Sequence, residues 1–219
     1  MINNHWQKNV YKKNLQLNKI PFDEVISYFK KINSNKKKIY VLEIGCGCGN
    51  NLSFLAEEGY NVSGIDFSSK AIDIAKKNIN SKKLKVDLKV GNIKKLDWPD
   101  KKFDFVFDRS AITHNTYEDI NLILKEVRRV LKKNGTLISF DLFGLNTPDI
   151  KYGKKISNYT YTNFKKGYFK KLGMTSFFNF IELKKLFKNF KIMKIEKKQT
   201  TNQNNQILNE FFNIEVKKK

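Results

Sequence analysis

The chain has 219 residues and carries 43 lysine or arginine residues against 21 aspartate or glutamate residues, so its formal net charge is +22 at pH 7. This length suits one domain, which buries roughly 70–75% of the unfolded chain's surface, and it is short for two domains. The sequence has no apolar run of roughly 18 residues and only two cysteines, which excludes a membrane-spanning helix and a disulfide scaffold.

The first residues, MINNHWQKNVYKKN, lack the apolar region of a secretory signal, so we expect a cytoplasmic protein. Cys46 and Cys48 lie two positions apart, and the two histidines are distant from them in sequence. Such a set is a poor metal site, so we expect no metal ion.

The positive charge has two interpretations. It suggests an anionic partner, such as nucleic acid, a phosphorylated metabolite or an acidic membrane surface. Alternatively it reflects composition, because the lysines are spread from Lys8 to Lys219 and only Arg128 and Arg129 form an arginine pair. We favour a solvated basic surface, and nucleic acid is a less favoured partner.

Residues 1–35 are predicted to form an N-terminal helical flap. Pro21 suits the first turn of a helix, and Asp23 and Glu24 suit its dipole. Apolar residues then recur at helical spacing at Val25, Ile26, Phe29 and Ile32.

Strands and helices alternate through the next hundred residues. Strands are predicted at 39–44, 61–65, 85–90, 103–107 and 136–143, and helices at 51–58, 68–79 and 118–131. The expected boundary residues are Asn50 or Asn51 and Ser68 or Ser69 as N-caps, with Asn134-Gly135 closing the last helix. This alternation predicts a parallel sheet in the α/β class.

The last third has a different pattern. A helix is predicted at 180–190, and strands at 191–198 and 207–216 are separated by a short polar segment. So short a connection permits only an antiparallel hairpin, so the parallel sheet should gain an antiparallel edge. Residues 144–175, the connecting segment, are long for a loop and are predicted to form a lid, with a disordered or packing loop as the equal alternative.

A glycine-rich turn follows the first predicted strand. Gly45, Gly47 and Gly49 let the backbone turn sharply and approach a ligand closely, and Cys46 and Cys48 are small fillers between them. A dinucleotide-binding turn has its third glycine one position later, where this chain has Asn50. Glu43 precedes the glycines and would repel a pyrophosphate, so the turn suits a partly cationic ligand.

Asp66 ends the second predicted strand, about 20 residues beyond the first glycine. A carboxylate at this place can accept hydrogen bonds from both hydroxyls of a ribose. The alternative is an acidic residue that only caps the following helix.

These features resemble the class I S-adenosylmethionine-dependent methyltransferases over residues 39–143. The resemblance implies a doubly wound Rossmann-like sheet of strand order 3-2-1-4-5-7-6 with helices on both faces, and S-adenosyl-L-methionine as cofactor. It implies that residues 39–143 form the cofactor-binding core of a single domain, which residues 176–219 complete. The implied cofactor-binding residues are Glu43, Gly45, Cys46, Gly47, Gly49, Asn50, Asp66, Phe67, Gly91, Asn92, Ile93, Asp108 and Arg109.

The departures from the family pattern narrow the acceptor. The segment Asp108-Arg109-Ser110-Ala111 lacks the N/D-P-P-Y/F sequence that binds a planar amino group, and the chain has no Pro-Cys dipeptide for attack on cytosine. A small-molecule acceptor is therefore expected. The opening residues, Asn50-Asn51 and the Asp108–Ala111 stretch are also similar to methyltransferases of bacterial surface-sugar biosynthesis, which implies a sugar or nucleotide-sugar.

His114 is the candidate general base, because it follows the Asp108–Ala111 stretch closely and a hydroxyl acceptor must lose a proton. The alternative is an exposed loop histidine or a helix cap. His5 is a candidate only if the flap closes over the site. Aromatic residues and Lys165, Lys166, Lys170 and Lys171 in the connecting segment could meet an anionic acceptor.

Three other functions remain open at this point. An RNA or protein methyltransferase would use the basic surface, and its RNA binding would depend steeply on salt. A non-enzymatic module would bind the cofactor and a protein partner. A nicotinamide dehydrogenase is disfavoured by Glu43 and Asn50.

Overall fold

The computed structural model describes residues 18–32 and 34–219. Of the predicted flap, residues 1–17, with His5, lie outside this part. The helices of the described part are α1 (Asp23–Lys30), α2 (Asn50–Glu57), α3 (Ser69–Ser81), α4 (Tyr117–Val130) and α5 (Phe180–Leu186). The same residues contain no helix with the length and apolar character needed to cross a membrane.

Strands of the described part build two sheets. The large sheet holds β1 (Tyr40–Ile44), β2 (Asn61–Asp66), β3 (Val86–Val90), β4 (Phe103–Arg109), β5 (Leu131–Phe143), β9 (Phe190–Thr201) and β10 (Ile207–Lys218). The small sheet holds β6 (Lys154–Ser157), β7 (Thr160–Thr162) and β8 (Thr175–Ser176).

The large sheet has the order β3-β2-β1-β4-β5-β10-β9. The pairs among β1 to β5 are parallel, whereas β10 is antiparallel to both β5 and β9. Numbered within this sheet alone, the order is 3-2-1-4-5-7-6, so the predicted doubly wound fold with an antiparallel edge is confirmed.

The core lies on both faces of this sheet, because successive side chains of a strand point to opposite faces. In β1, Val41 packs in one hydrophobic cluster while Leu42 and Ile44 pack in another. The first cluster includes buried residues of α1, α2 and α3, and the second includes those of α4 and α5.

Helix α1 is fixed to the sheet by an aromatic cluster. The fully buried ring of Phe29 makes edge-to-face contacts with Phe105 and Phe107 of β4, at centroid distances of 5.8 and 5.4 Å. The hydroxyl of Tyr60 donates a hydrogen bond of 2.8 Å to the Phe29 carbonyl oxygen at the end of the helix. These contacts hold the end of α1 against β4 and the residue before β2.

The connecting segment is folded rather than irregular. Its strands β6, β7 and the start of β8 enclose an aromatic cluster of Phe143, Phe164, Phe169 and Phe177. The buried Glu210 carboxylate of β10 accepts hydrogen bonds from the backbone and the side-chain amide of Asn146, at 3.2 and 3.0 Å. The segment is therefore anchored to the large sheet at its start, and its function as a lid stays a prediction.

Three predicted helix boundaries differ from the structure. Helix α4 ends at Val130, not at Asn134-Gly135, because Leu131 is already extended and pairs with Phe103 of β4. Helix α5 ends at Leu186, four residues early, since the sheet captures the chain from Phe190 onward. Helix α2 is capped by Gly49 in the left-handed region instead of by an asparagine side chain.

Arg129 joins α4 to the loop that precedes β4. Its guanidinium donates hydrogen bonds to the carbonyl oxygens of Leu96 and Trp98, at 2.7 and 2.8 Å, and to the carboxylates of Asp100 and Glu126. Arg128, the neighbouring residue, is exposed.

We therefore expect Arg129→Ala to lower the free energy of unfolding by about 2–3 kcal/mol, because hydrogen bonds to charged groups contribute about 1.5–3 kcal/mol each and water replaces some of them. Arg128→Ala is the matched control and should change stability by less than about 0.5 kcal/mol. Urea titration of both variants measures the difference, and equal stabilities would contradict this role.

Candidate active site

One cavity lies at the carboxyl ends of β1, β2 and β4, where the strand order reverses. It gathers eleven positions that were predicted to bind the cofactor, together with the predicted base and several further side chains. The lining residues are Asn18, Phe22, Glu43, Gly45, Cys46, Gly47, Cys48, Asn50, Asn51, Asp66, Phe67, Gly91, Asn92, Ile93, Arg109, Ser110, Ala111, His114, Asn115, Phe143, Tyr168 and Leu172.

The glycine turn forms the floor of the cavity. Gly45, Gly47 and Gly49 have positive φ angles of 71°, 51° and 75°, a region that residues with a Cβ atom rarely adopt. A Cβ atom on Gly45 would also collide with the side chain of Ala111. The amides of Gly45 and Cys46 donate to the Ile65 carbonyl oxygen at 2.8 and 3.0 Å, which ties the turn to β2.

Asp66 closes the far side of this turn. Its Oδ2 accepts a hydrogen bond of 3.0 Å from the Gly47 amide, and its Oδ1 accepts one of 2.9 Å from the Ser68 amide. Only 4% of the residue is exposed, and burial raises the pKa of its carboxyl to about 6. Each oxygen keeps a second lone pair for a donor in the cavity.

Glu43 is a buried carboxylate with one oxygen satisfied. Asn51 Nδ2 donates a hydrogen bond of 2.7 Å to Oε1, whereas Oε2 is buried and accepts no hydrogen bond from the described residues. Burial raises the pKa of Glu43 to about 8, against the lowering effect of the Asn51 hydrogen bond. A cationic or hydrogen-bond-donating ligand would compensate this group, as the sequence predicted for the turn.

Asn51 is a site residue that the sequence analysis did not assign to the cofactor. Besides holding Glu43, its Oδ1 accepts a hydrogen bond of 3.1 Å from the Phe22 amide. The neighbouring Asn50 donates from Nδ2 to the Ile20 carbonyl oxygen at 2.8 Å. These two amides at the start of α2 therefore hold the chain before α1 against the cavity. In the sequence, the Asn-Asn pair directly after the glycines is the feature that could have indicated Asn51 as a site residue.

Two predicted cofactor contacts, Gly49 and Asp108, do not line the cavity. Gly49 packs on Ala75 of α3. Asp108 is fully buried, and its Oδ2 accepts hydrogen bonds from the Ala111 and Ile112 amides, both at 3.0 Å. Burial raises the pKa of Asp108 to about 6. Both residues lie behind the cavity wall, and their predicted contact with the cofactor stays a prediction.

Gly91, Asn92 and Ile93 follow β3 and form another wall. The Gly91 amide donates to the Asp66 carbonyl oxygen at 2.9 Å, which brings this segment beside the carboxylate of Asp66. Asn92 is exposed, and its Oδ1 accepts a hydrogen bond of 3.0 Å from the Lys94 amide. The wall thus presents an amide side chain at the place where the resemblance implies an acid.

Arg109 lies at the end of β4 with its charge compensated. Its Nη2 lies 2.8 Å from Asp141 Oδ2, and its Nε lies 3.5 Å from Glu24 Oε1. The guanidinium carbon lies 3.7 Å from the centroid of the Phe22 ring, which is cation–π stacking. This arrangement joins β4 and β5 to the start of α1.

His114 ends a short 3-10 turn (Ile112–His114) and is 9% exposed. Its Nδ1 lies 3.1 Å from the Met174 carbonyl oxygen and 3.4 Å from Thr175 Oγ1. Because a carbonyl oxygen only accepts, Nδ1 is the donor in the contact with Met174. The predicted base is thus buried at the cavity wall, not on an exposed loop.

The connecting segment contributes further residues that the sequence did not single out. Tyr168 and Leu172 line the cavity, together with Phe143 at the end of β5. By contrast, Lys165, Lys166, Lys170 and Lys171 are exposed and do not line it. The sequence does not distinguish Tyr168 as a lining residue, because it is one of several aromatic residues in this segment.

The central part of the chain is similar to known proteins. Residues 41–135 match a family described as "Methyltransferase domain". The chain is 38% identical over 117 residues to the ubiquinone biosynthesis O-methyltransferase of Pelagibacter ubique, which covers 52% of this chain and 48% of that protein. It is 30% identical over 112 residues to the phosphoethanolamine N-methyltransferase of Plasmodium falciparum, covering 51% and 41%.

A solved structure resembles almost the whole chain. An S-adenosylmethionine-dependent methyltransferase from Methanosarcina mazei superposes with a TM-score of 0.72 at 24% identity, covering 91% of this chain and 99% of that one. The chain spans about half the length of the two relatives matched by sequence. Residues 41–135 thus match a methyltransferase domain, and the seven-stranded fold is that of the Methanosarcina mazei protein.

Proposed function

We propose that this chain is an S-adenosyl-L-methionine-dependent methyltransferase that methylates an oxygen or a nitrogen of a small molecule. The observation that carries the proposal is the single cavity lined by Glu43, Asp66, Asn92 and His114. Carboxylates that would suit a cationic nucleoside ligand line the same cavity as His114, the candidate base.

The residues present fit this cofactor. The buried Oε2 of Glu43, which accepts no hydrogen bond from the described residues, suits a cationic group, and the glycine turn leaves room for close approach. Asp66 would hold the ribose hydroxyls, and Gly91 to Ile93 would lie along the adenine. When bound, the cofactor supplies a methyl group on a positively charged sulfur. The chain's part is to orient the acceptor in line and to exclude water, which can lower the barrier by up to about 7–11 kcal/mol.

The size of the acceptor follows from the walls of the cavity. Phe22 and Asn18 before α1 and Tyr168 and Leu172 of the connecting segment line it. Two segments that are distant in sequence therefore contribute to its wall. A small molecule fits this arrangement better than a folded RNA or protein.

The relatives divide between oxygen and nitrogen acceptors, since one is named for ubiquinone biosynthesis and another for phosphoethanolamine. Neither name concerns a sugar, so the sugar or nucleotide-sugar acceptor expected from the sequence receives no support from them. The four lysines of the connecting segment lie outside the cavity, so they do not support an anionic acceptor bound within it.

The direct test is incubation of the purified chain with methyl-labelled S-adenosyl-L-methionine and a cell extract, with and without ribonuclease. We expect label in the small-molecule fraction, unchanged by ribonuclease. Heat-inactivated protein is the control. Label that appears only in RNA or in protein would overturn the small-molecule acceptor.

A second prediction concerns Asp66. Asp66→Ala should weaken binding of S-adenosyl-L-methionine about a hundredfold, because each hydrogen bond to a charged group contributes about 1.5–3 kcal/mol. Asp73→Ala, an exposed aspartate of α3, is the matched control. Isothermal titration measures both affinities, and circular dichroism checks the fold. Unchanged affinity in a folded Asp66→Ala protein would refute the ribose role.

A third prediction follows from the pKa of Glu43. A pKa raised from 4.5 to about 8 means that the folded state binds a proton which the unfolded state has released, so stability falls as pH rises through this window. Glu43→Gln keeps the acceptor for Asn51 but never ionises. Between pH 5 and pH 8, the free energy of unfolding of Glu43→Gln should therefore rise by roughly 3–4 kcal/mol relative to that of the wild type without ligand.

Urea titrations at the two pH values measure this change. Glu57→Gln, at a half-exposed side chain, is the control. A stability difference that is the same at pH 5 and pH 8 would show that Glu43 is already ionised in the folded protein.

A further inference from the structure

A short segment of residues 18–22, which we call the strap, precedes α1 and has no regular secondary structure. Its first and last residues line the cavity, and the two residues that follow the first are exposed. Asn50 Nδ2 donates a hydrogen bond of 2.8 Å to the Ile20 carbonyl oxygen, and Asn51 Oδ1 accepts one of 3.1 Å from the Phe22 amide. Side-chain amides of α2 therefore hold the backbone of the strap at the cavity.

The Asn51 side chain also contacts the acid of the cavity floor. It is buried, and its Nδ2 donates a hydrogen bond of 2.7 Å to Glu43 Oε1. The orientation of this side-chain amide is fixed from both sides, because the Glu43 oxygen accepts and the Phe22 amide can only donate. A single side chain thus joins the backbone of the strap to Glu43.

The other oxygen of Glu43, Oε2, is buried and accepts no hydrogen bond from the described residues. A cationic ligand beside it favours the ionised carboxylate, whose hydrogen bonds are about twice as strong as those of a neutral acceptor. Hydrogen bonds in a chain polarise one another, so a stronger bond from Asn51 Nδ2 to Glu43 also makes Asn51 Oδ1 a better acceptor for the Phe22 amide. Occupation of the cavity floor would therefore tighten the strap.

We propose that Asn51 is a positioning residue which couples binding of S-adenosyl-L-methionine beside Glu43 to the seating of the strap at the cavity. This inference rests on the proposed methyltransferase function and adds a conformational step at the same site. The coupling is reciprocal, so the seated strap raises the affinity for the cofactor by the factor by which the cofactor favours the seated strap. Residues Asn18 and Phe22 then complete the cavity wall when the cofactor is bound.

The test measures cleavage of the purified full chain by trypsin after Lys19, an exposed residue of the strap. Cleavage rates are taken from the mass spectra of the fragments, with and without saturating S-adenosyl-L-methionine. We expect the cofactor to slow cleavage about tenfold in the wild type, a typical coupling between two sites, and less than about twofold in Asn51→Leu. Leucine has a similar volume but forms neither hydrogen bond. Asn80→Leu, at an exposed position of α3, is the matched control and should keep the wild-type ratio.

The ratio of the two rates separates coupling from a merely structural role. If Asn51 only stabilised the strap, Asn51→Leu would speed cleavage equally with and without the cofactor, and the ratio would stay at its wild-type value. An unchanged ratio in this variant, or a wild type that binds the cofactor without protection of the strap, therefore overturns the coupling. A wild type that does not bind S-adenosyl-L-methionine in isothermal titration refutes the proposed function itself.

A second pair of variants leaves Asn51 and Glu43 in place. Phe22 has a φ angle of −77° and a ψ angle of 139°, which proline can adopt, so Phe22→Pro removes the amide hydrogen at this position. Phe22→Ala is the matched control, because it also lacks the ring but keeps the amide. Because the coupling is reciprocal, isothermal titration should give a Kd for S-adenosyl-L-methionine about tenfold higher in Phe22→Pro than in Phe22→Ala. Equal affinities of these two variants would contradict the coupling.

Discussion

The site exists because the chain reverses its direction of travel across the sheet next to β1. After β1, the chain moves outward through β2 and β3, then returns to place β4 on the other side of β1. The connections that leave β1 and β4 therefore diverge, and a cleft opens above the carboxyl ends of these strands. Glu43 and Asp108 sit beside this cleft because of strand position alone. The position of the cavity therefore follows from the strand order and does not depend on which side chains line it.

Burial of carboxyl groups at the carboxyl ends of these strands lowers the stability of the folded protein when the groups are ionised. Glu43, Asp66 and Asp108 are all nearly or fully buried, and burial raises the pKa of each. Asp66 and Asp108 recover part of the cost from backbone amides, but Glu43 has only the Asn51 amide. A cationic ligand stabilises the ionised forms that the empty protein disfavours. The buried carboxyl groups that lower the stability of the unliganded fold would therefore favour a cationic ligand over an anionic one.

The sequence predicts the sheet and the glycine turn at the floor of the cavity, since both depend on local patterns. Apolar runs, glycines and caps at fixed spacing predicted the strands, the glycine turn and the position of Asp66, whereas the strand order came from the resemblance to the class I methyltransferases. The contacts that hold the other side chains around the cavity were not predictable in this way. His114 was found, but its contact with the carbonyl oxygen of Met174, sixty residues further along the chain, was not. Asp108 was predicted from its place at the end of a strand, but no spacing rule reveals that its carboxylate accepts hydrogen bonds from two amides of the next turn.

The net charge illustrates how composition can mislead about a site. The chain as a whole is +22, but the cavity floor is acidic and the arginine on its wall is neutralised. Many lysines lie elsewhere, including Lys191, Lys194 and Lys197, which are exposed on the edge strand β9. Charged side chains there keep an unpaired strand edge from pairing with another chain. The basic residues of β9 thus have a structural explanation, and the chemistry of the ligand is set by the few buried acids that oppose the overall charge.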